Sequence, residues 1–168
     1  MLIRPEQIED ATAVSHINTA AFGRPDEARL VERLRCAGVE MISLVAVVDT
    51  AVVGHILFTP VTVESDEQYF AAMALGPVGV LPEWQKQGVG AALIEAGLQA
   101  CGEAGHKTVF VLGHSDYYPR FGFEPTRPYG IACEYDVPNE AFMVVELEAG
   151  ALANVTGIVH YRPEFNEV

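Results

Sequence analysis

The sequence predicts a mixed α/β fold, a central and mostly antiparallel sheet flanked by helices, and three observations carry that reading. Two amphipathic segments stand near the N-terminus, a hairpin of β-branched residues follows them, and a later helical segment joins two apolar strands. With 168 residues, of which 50% are hydrophobic, the chain fits one compact domain. A domain of that size buries about 65–70% of the surface its unfolded chain exposes.

Leu2 to Arg4 form a short opening strand, and Pro5 and Glu6 lead into "EDATAVSHINTAAF", where Ala11, Val14, Ile17 and Ala21 recur at helical intervals. After "GRPD", the stretch "EARLVERLRCAG" sets Leu30, Val31 and Leu34 on one face of a second, more charged helix, with Gly38 as its C-cap. The period then changes. "SLVAVVD" and "AVVGHILFTPVTVE" read as strands joined by a hairpin turn at Asp49 and Thr50. "QYFAAMALGPVGVLP" is a third strand, expected to be interrupted at Gly76 and Pro77. From Gly88 to Gly105, Val89, Leu93, Ala96 and Ala100 mark a helix, and "KTVFVLG" after it is a short apolar strand. Strand, helix and strand in that order imply a right-handed parallel crossover. In "SDYYPRFGFEP", Ser115 is a candidate helix cap, but Pro119 allows only a turn or two. "AFMVVELE" is a further strand, and "GIVHYRPEF" closes the chain as a strand or an extended tail.

Composition narrows the partners. The chain has 23 acidic and 10 basic residues, a net charge of −13. That field repels duplex DNA and anionic membranes, so neither nucleic acid nor membrane is an expected partner, whereas a cationic substrate is attracted. Cysteines 36, 101 and 133 show no CxxC spacing, so neither a disulfide framework nor a zinc site is read, and no metal is expected. "MLIRPEQIED" has no basic region followed by a long apolar run, and no apolar stretch reaches membrane-spanning length. The expectation is a soluble, cytoplasmic protein.

The chemistry centres on "EWQKQGVG", which opens the long helix. The first turn of a helix leaves its N–H groups unpaired and carries the positive end of the macrodipole. Glycines at 88 and 90 let those groups approach a bulky anion without a side chain in the way, and phosphate is the natural ligand. The lysine and hydroxyl of GxxxxGK[ST] are absent, and Gly97 falls too late for GxGxxG. Taken alone, the glycines fit a phosphate cradle or an ordinary helix start.

Their surroundings choose between the two. "VGVLPEWQKQGVGAALI" resembles the acetyl-CoA-binding motif of the GCN5-related N-acetyltransferase (GNAT) superfamily, with Gln85, Gly88 and Gly90 at the motif positions. About 30 residues later, "YYPRFGF" resembles the family's tyrosine followed by a Gly-Phe pair. The segments "VVGHILFTPV", "VLGHSDYYPRFGF" and "GIVHYRPEF" further resemble a bacterial acetyltransferase subgroup. The likeness spans residues 1–148 as an N-acetyltransferase domain and leaves 149–168 as a C-terminal tail with room for an extra strand.

The resemblance implies the GNAT acyl-CoA N-acyltransferase fold and acetyl-CoA as co-substrate. It places Gln85, Lys86, Gln87, Gly88, Val89, Gly90 and Ala91 around the pyrophosphate. Val78, Gly79 and Val80 offer backbone groups to the pantetheine arm, beyond a splay that Gly76 and Pro77 create. An N–H of Gly79 or Val80 serves the oxyanion, and Tyr118 is the acid that protonates the departing thiolate, with Tyr117 as the alternative. The base is less well marked, because "FAAMALGPVGV" holds no carboxylate. His114 is the candidate, with an unperturbed pKa of about 6.5 that suits the task, and Asp116 is a lesser one. His55 reads as a packing or cross-sheet hydrogen-bonding residue, and His16, His106 and His160 have no evident partner. The implied activity is direct acetyl transfer to a primary amine of a small molecule or peptide; a non-catalytic acyl-CoA-binding module is the alternative. Members of the family often dimerise, so a homodimer is an expected option.

Overall fold

Asp49 and Thr50 both adopt left-handed backbone, with φ of 47° and 70°. Two such residues in succession give a hairpin loop whose twist matches that of its strands. They join β2 (Ile42–Val48) to β3 (Ala51–Glu64), which pair antiparallel from Val48↔Ala51 to Ile42↔Phe58. The computed structural model describes every residue from Met1 to Val168. The fold is mixed α/β, with mostly antiparallel strands and flanking helices. No helix is long and apolar enough to cross a membrane.

Two compact units divide the chain, and neither is a continuous segment. The first comprises Met1–Phe58, Gly76–Gly97 and Pro163–Val168; the second comprises Thr59–Leu75 and Leu98–Arg162.

In the first unit, β1 (Leu2–Pro5) lies antiparallel to β2, with Leu2 opposite Val47. Helix α1 (Ala11–Phe22) stops at Gly23, whose φ of 69° no β-carbon-bearing residue adopts cheaply. Helix α2 (Asp26–Cys36) follows, with Asp26 and Glu27 in its first turn and Arg33 and Arg35 in its last, a distribution that suits the helix dipole. Val14, Leu30, Val31, Leu34, Val45 and Leu57 form the buried core beneath these helices. Helix α3 (Val89–Glu103) begins in this unit, and its close approach to β3 depends on Gly97. A Cβ at that position would stand 2.2 Å from the Phe58 ring.

In the second unit, the turn around Ser65 and Gln68 joins the end of β3 to the start of β4 (Tyr69–Val80). β4 runs parallel to β5 (Thr108–Leu112), from Met73↔Val109 to Leu75↔Val111. β5 in turn lies antiparallel to β8 (Phe142–Glu146), which also pairs with the two-residue β6 (Glu124–Pro125). β9 (Gly157–His160) pairs with the end of β3 and, in parallel, with β7 (Ile131–Cys133). Phe110 and Phe142 stack at 5.5 Å in a core completed by Val61, Val63, Ala72, Ala74 and Val144.

Two local expectations need amendment, and two short strands were not anticipated. β4 is not interrupted at Gly76 and Pro77, and runs on to Val80; what stops is its ladder with β5, at Leu75. Ser115 caps nothing: the turn after β5 is a 3-10 helix over Tyr118–Phe121, with Tyr117 in the cap position and no side-chain cap. β6 and β7 went unread because two or three residues carry no period.

Candidate functional site

The glycine turn lies in the first unit. Leu81 donates its N–H to Val53 O at 2.9 Å, and a 3-10 turn over Pro82–Trp84 leads into Gln85–Gly88. Two side chains brace this exposed loop by folding back on its main chain. Gln85 Nε2 donates to Val80 O at 3.0 Å, and Gln87 Nε2 donates to Glu83 O at 3.0 Å. The Val80 carbonyl, expected to serve a ligand, is therefore engaged by Gln85. Lys86 and Gly88 take left-handed backbone, with φ of 61° and 87°, so Gly88 is required by the turn whatever binds there. A Cβ on Gly88 would meet nothing within 4 Å, so the space beside it is open. The first bond into α3 runs from Ala92 N to Gly88 O at 3.0 Å. The N–H groups of Val89, Gly90 and Ala91 precede that bond and have no helical carbonyl to donate to.

The same unit holds a line of buried polar groups. Asn18 of α1 and His55 of β3 are both fully buried, and Asn18 Nδ2 donates to Val14 O and to His55 Nδ1, each at 3.1 Å. With Nδ1 accepting, the imidazole proton lies on Nε2, which donates to Ser43 Oγ at 2.9 Å. Ser43 in turn donates to Glu6, which pairs with Arg35. Burial, helped by the charge of Arg35, pushes the His55 pKa down to about 3, so the ring is neutral. Asn18 Oδ1 is buried without a partner, 3.1 Å from the position a Cβ would take on Gly79. His55 thus has the cross-sheet role read from the sequence. Asn18 was missed, although a polar residue four after Val14 in an apolar stripe was the available signal.

The tyrosine turn lies in the second unit. His114 O accepts the N–H groups of Tyr117 at 3.1 Å and Tyr118 at 3.4 Å, which folds the chain back after β5. Tyr118 is 8% exposed and packs edge-on against Tyr117 and Phe123. Its ring also lies against Gly113: a Cβ there would be 2.5 Å from Tyr118 Cε2. Burial, with the charge of Tyr117 adding to it, pushes the Tyr118 pKa up to about 12. At neutral pH the hydroxyl is therefore protonated, and it makes no hydrogen bond within the chain. Tyr117 is partly buried under Arg120, whose guanidinium sits 4.5 Å from its ring centre. The side chains of His114 and Asp116 are exposed. His160, for which the sequence offered no partner, is held between Glu64 at 2.7 Å and Glu134 at 2.6 Å.

Comparison with known proteins follows the same outline. A family model described as an acetyltransferase (GNAT) domain matches residues 2–126, a span that contains both turns. The "uncharacterized N-acetyltransferase YhbS" of Escherichia coli K12 is 35% identical over 167 residues, 99% of each chain. YjhQ of the same organism, also described as an uncharacterized N-acetyltransferase, is 40% identical over 134 residues, 78% of this chain and 74% of its own. The crystal structure of E. coli YhbS in complex with CoA superposes with a TM-score of 0.93 at 34% identity, covering 98% of this chain and 91% of that one. A GNAT acetyltransferase from Brucella melitensis in complex with acetyl-CoA gives 0.80 at 32% identity, covering 98% and 97%. A family match over most of the chain, and relatives aligned from end to end, agree with the two turns: the chain belongs to the GNAT acetyltransferase family.

Proposed function

We propose that the protein binds acetyl-CoA and transfers its acetyl group directly to a primary amine of a small molecule or peptide. The observation that carries this reading is the open start of α3, where Val89, Gly90 and Ala91 present undonated N–H groups beside a glycine with free space around it. A pyrophosphate is the anion that such an array, bordered by Lys86, suits best. That the YhbS structure contains CoA and the Brucella structure acetyl-CoA supports the same ligand here.

In the reaction, the neutral amine nitrogen attacks the thioester carbonyl carbon, and a carbon–nitrogen bond forms. The negative charge on the carbonyl oxygen is met by a backbone N–H of Gly79 or Val80. The carbon–sulfur bond then breaks, and the thiolate takes the proton of Tyr118. A hydroxyl with a pKa of about 12 stays loaded at neutral pH, as an acid for this step must. The amine releases its surplus proton to His114 or to water. Gln85, Lys86 and Gln87 complete the pyrophosphate site, and Val78 lines the pantetheine arm.

One observation favours a second reading: β4 carries no carboxylate, and the His114 side chain is exposed. An acyl-CoA-binding module without turnover would keep the glycine turn and need no base. Incubation with acetyl-CoA and a panel of amines, followed by free CoA thiol, separates the two. Thiol release that depends on the amine is expected; tight acetyl-CoA binding with no release above the hydrolytic background would leave the binding module.

A further inference from the structure

A cavity of about 490 Å3 in the second unit, partly open, is lined by residues between Thr126 and Phe142. One of its lining residues, Phe142, is tied to the end of β5 from which the tyrosine turn continues. Phe142, on its wall, pairs with Leu112; the preceding Ala141 accepts the N–H of Gly113 at 2.9 Å; and Gly113 is the residue on which the Tyr118 ring rests. Cavity and tyrosine are therefore anchored to consecutive residues of one strand end.

Two charges on the cavity wall have no use within the chain. Five of the ten Lys and Arg residues are ion-paired: Arg4 with Asp10, Arg24 with Glu27, Arg33 with Glu167, Arg35 with Glu6, and Lys107 with Glu148. Arg127 forms no ion pair, although 23 carboxylates are available. Three carboxylates of the second unit are engaged within the chain. Glu124 accepts the Tyr129 hydroxyl, Glu134 accepts His160 and the Tyr161 N–H, and Glu146 accepts the Leu152 N–H. Asp136 accepts nothing from the chain, and it stands too far from Arg127 for an ion pair. Tyr135 and Phe142 add aromatic surface to the lining.

A separated guanidinium and carboxylate in one cavity complement a ligand that carries both a carboxylate and an ammonium group. We propose that the cavity holds the acceptor, and that the acceptor is a free diamino acid. Its α-carboxylate docks on Arg127 and its α-ammonium on Asp136. An ammonium held in that charged form is no nucleophile, so the acetyl group goes to the second, side-chain amine. The net charge of −13 attracts such a cationic molecule. This assignment rests on the acetyl-transfer reading above, and deepens it.

The test compares L-ornithine and L-lysine with putrescine and cadaverine, which present the same chain without the carboxylate. With acetyl-CoA saturating and free thiol as readout, kcat/KM is expected to be at least tenfold higher for each amino acid than for its diamine. Arg127→Ala should collapse that ratio, mainly through a higher KM for the amino acid, and Arg127→Lys should restore part of it. Equal use of amino acids and diamines, or a ratio unchanged in Arg127→Ala, would overturn the assignment. Calorimetric titration of L-ornithine into the protein without acetyl-CoA adds an arm independent of turnover. Binding that Arg127→Ala or Asp136→Asn abolishes supports the cavity site even if no amine is acetylated, a result that would count against transfer alone. No binding and no turnover with any amino acid would overturn the assignment as well.

Discussion

The glycine turn and the tyrosine turn solve opposite problems. The first is exposed and made of main chain: it presents N–H donors, and the side chains of Gln85 and Gln87 fold back on backbone carbonyls. The second is buried and made of one side chain, a phenol enclosed by Tyr117, Phe123 and Gly113 and raised by that burial to a pKa of about 12. An array of main-chain donors binds an anion without changing protonation state, while a desolvated phenol keeps its proton across the neutral pH range. The difference teaches that affinity and turnover should be separable by mutation.

The largest expected effect is on the glycine side. Gly90 lies inside the first turn of α3 and has no positive φ, so Gly90→Val fits the backbone while covering the donors with a branched side chain. Calorimetry should show acetyl-CoA affinity falling by about 100-fold or more, some 3 kcal/mol, with the thermal midpoint of the free protein little changed. Affinity equal to wild type would remove the turn from the site.

Next comes the tyrosine itself. Tyr118→Phe keeps the ring and its packing but loses the proton, and kcat should drop by about 100-fold with acetyl-CoA affinity nearly unchanged. The pH profile sharpens this, because a folded pKa of about 12 keeps the acid protonated across the working range. No alkaline fall in kcat is expected below about pH 10. A fall near pH 8 that vanishes in Tyr118→Phe would mean the phenol is not desolvated as described.

Gly113→Ala probes position rather than chemistry and should have a smaller effect. The added methyl stands 2.5 Å from the Tyr118 ring, so the ring must shift while its hydroxyl survives. A fall of about tenfold in kcat, without loss of acetyl-CoA binding, is the expected outcome. If kcat is unaffected, the placement of the ring by β5 has no bearing on turnover.

How far the sequence carried this picture can be traced residue by residue. The 3.6-residue recurrence of Val14 and Ile17, the β-branched run of β3 and the turn residues Asp49 and Thr50 between two such runs are local signals, and the corresponding elements form where they were expected. The two turns were legible because each is a short continuous stretch. What escaped was non-local. The line from Asn18 through His55 and Ser43 to Glu6 draws on three elements and the loop after β1, and no spacing in one of them announces the others. The His160 clamp joins Glu64 and Glu134 across nearly a hundred residues of chain. The cavity beside Arg127 belongs to a segment of 3-10 turns and three-residue strands, whose sequence has no period to read. Burial lowers the pKa of His55 and raises that of Tyr118, and neither shift can be read from a residue type.

Thermal unfolding of the full chain across an acetyl-CoA titration tests the central claim most directly. A ligand that binds only the folded protein stabilises it by about 2.7 kcal/mol at one hundred times its dissociation constant. For a chain of this size that is a midpoint rise of roughly 5–10 °C. The account predicts that rise in the wild type and in Tyr118→Phe, and its loss in Gly90→Val. A midpoint that stays fixed in wild type at millimolar acetyl-CoA would contradict it.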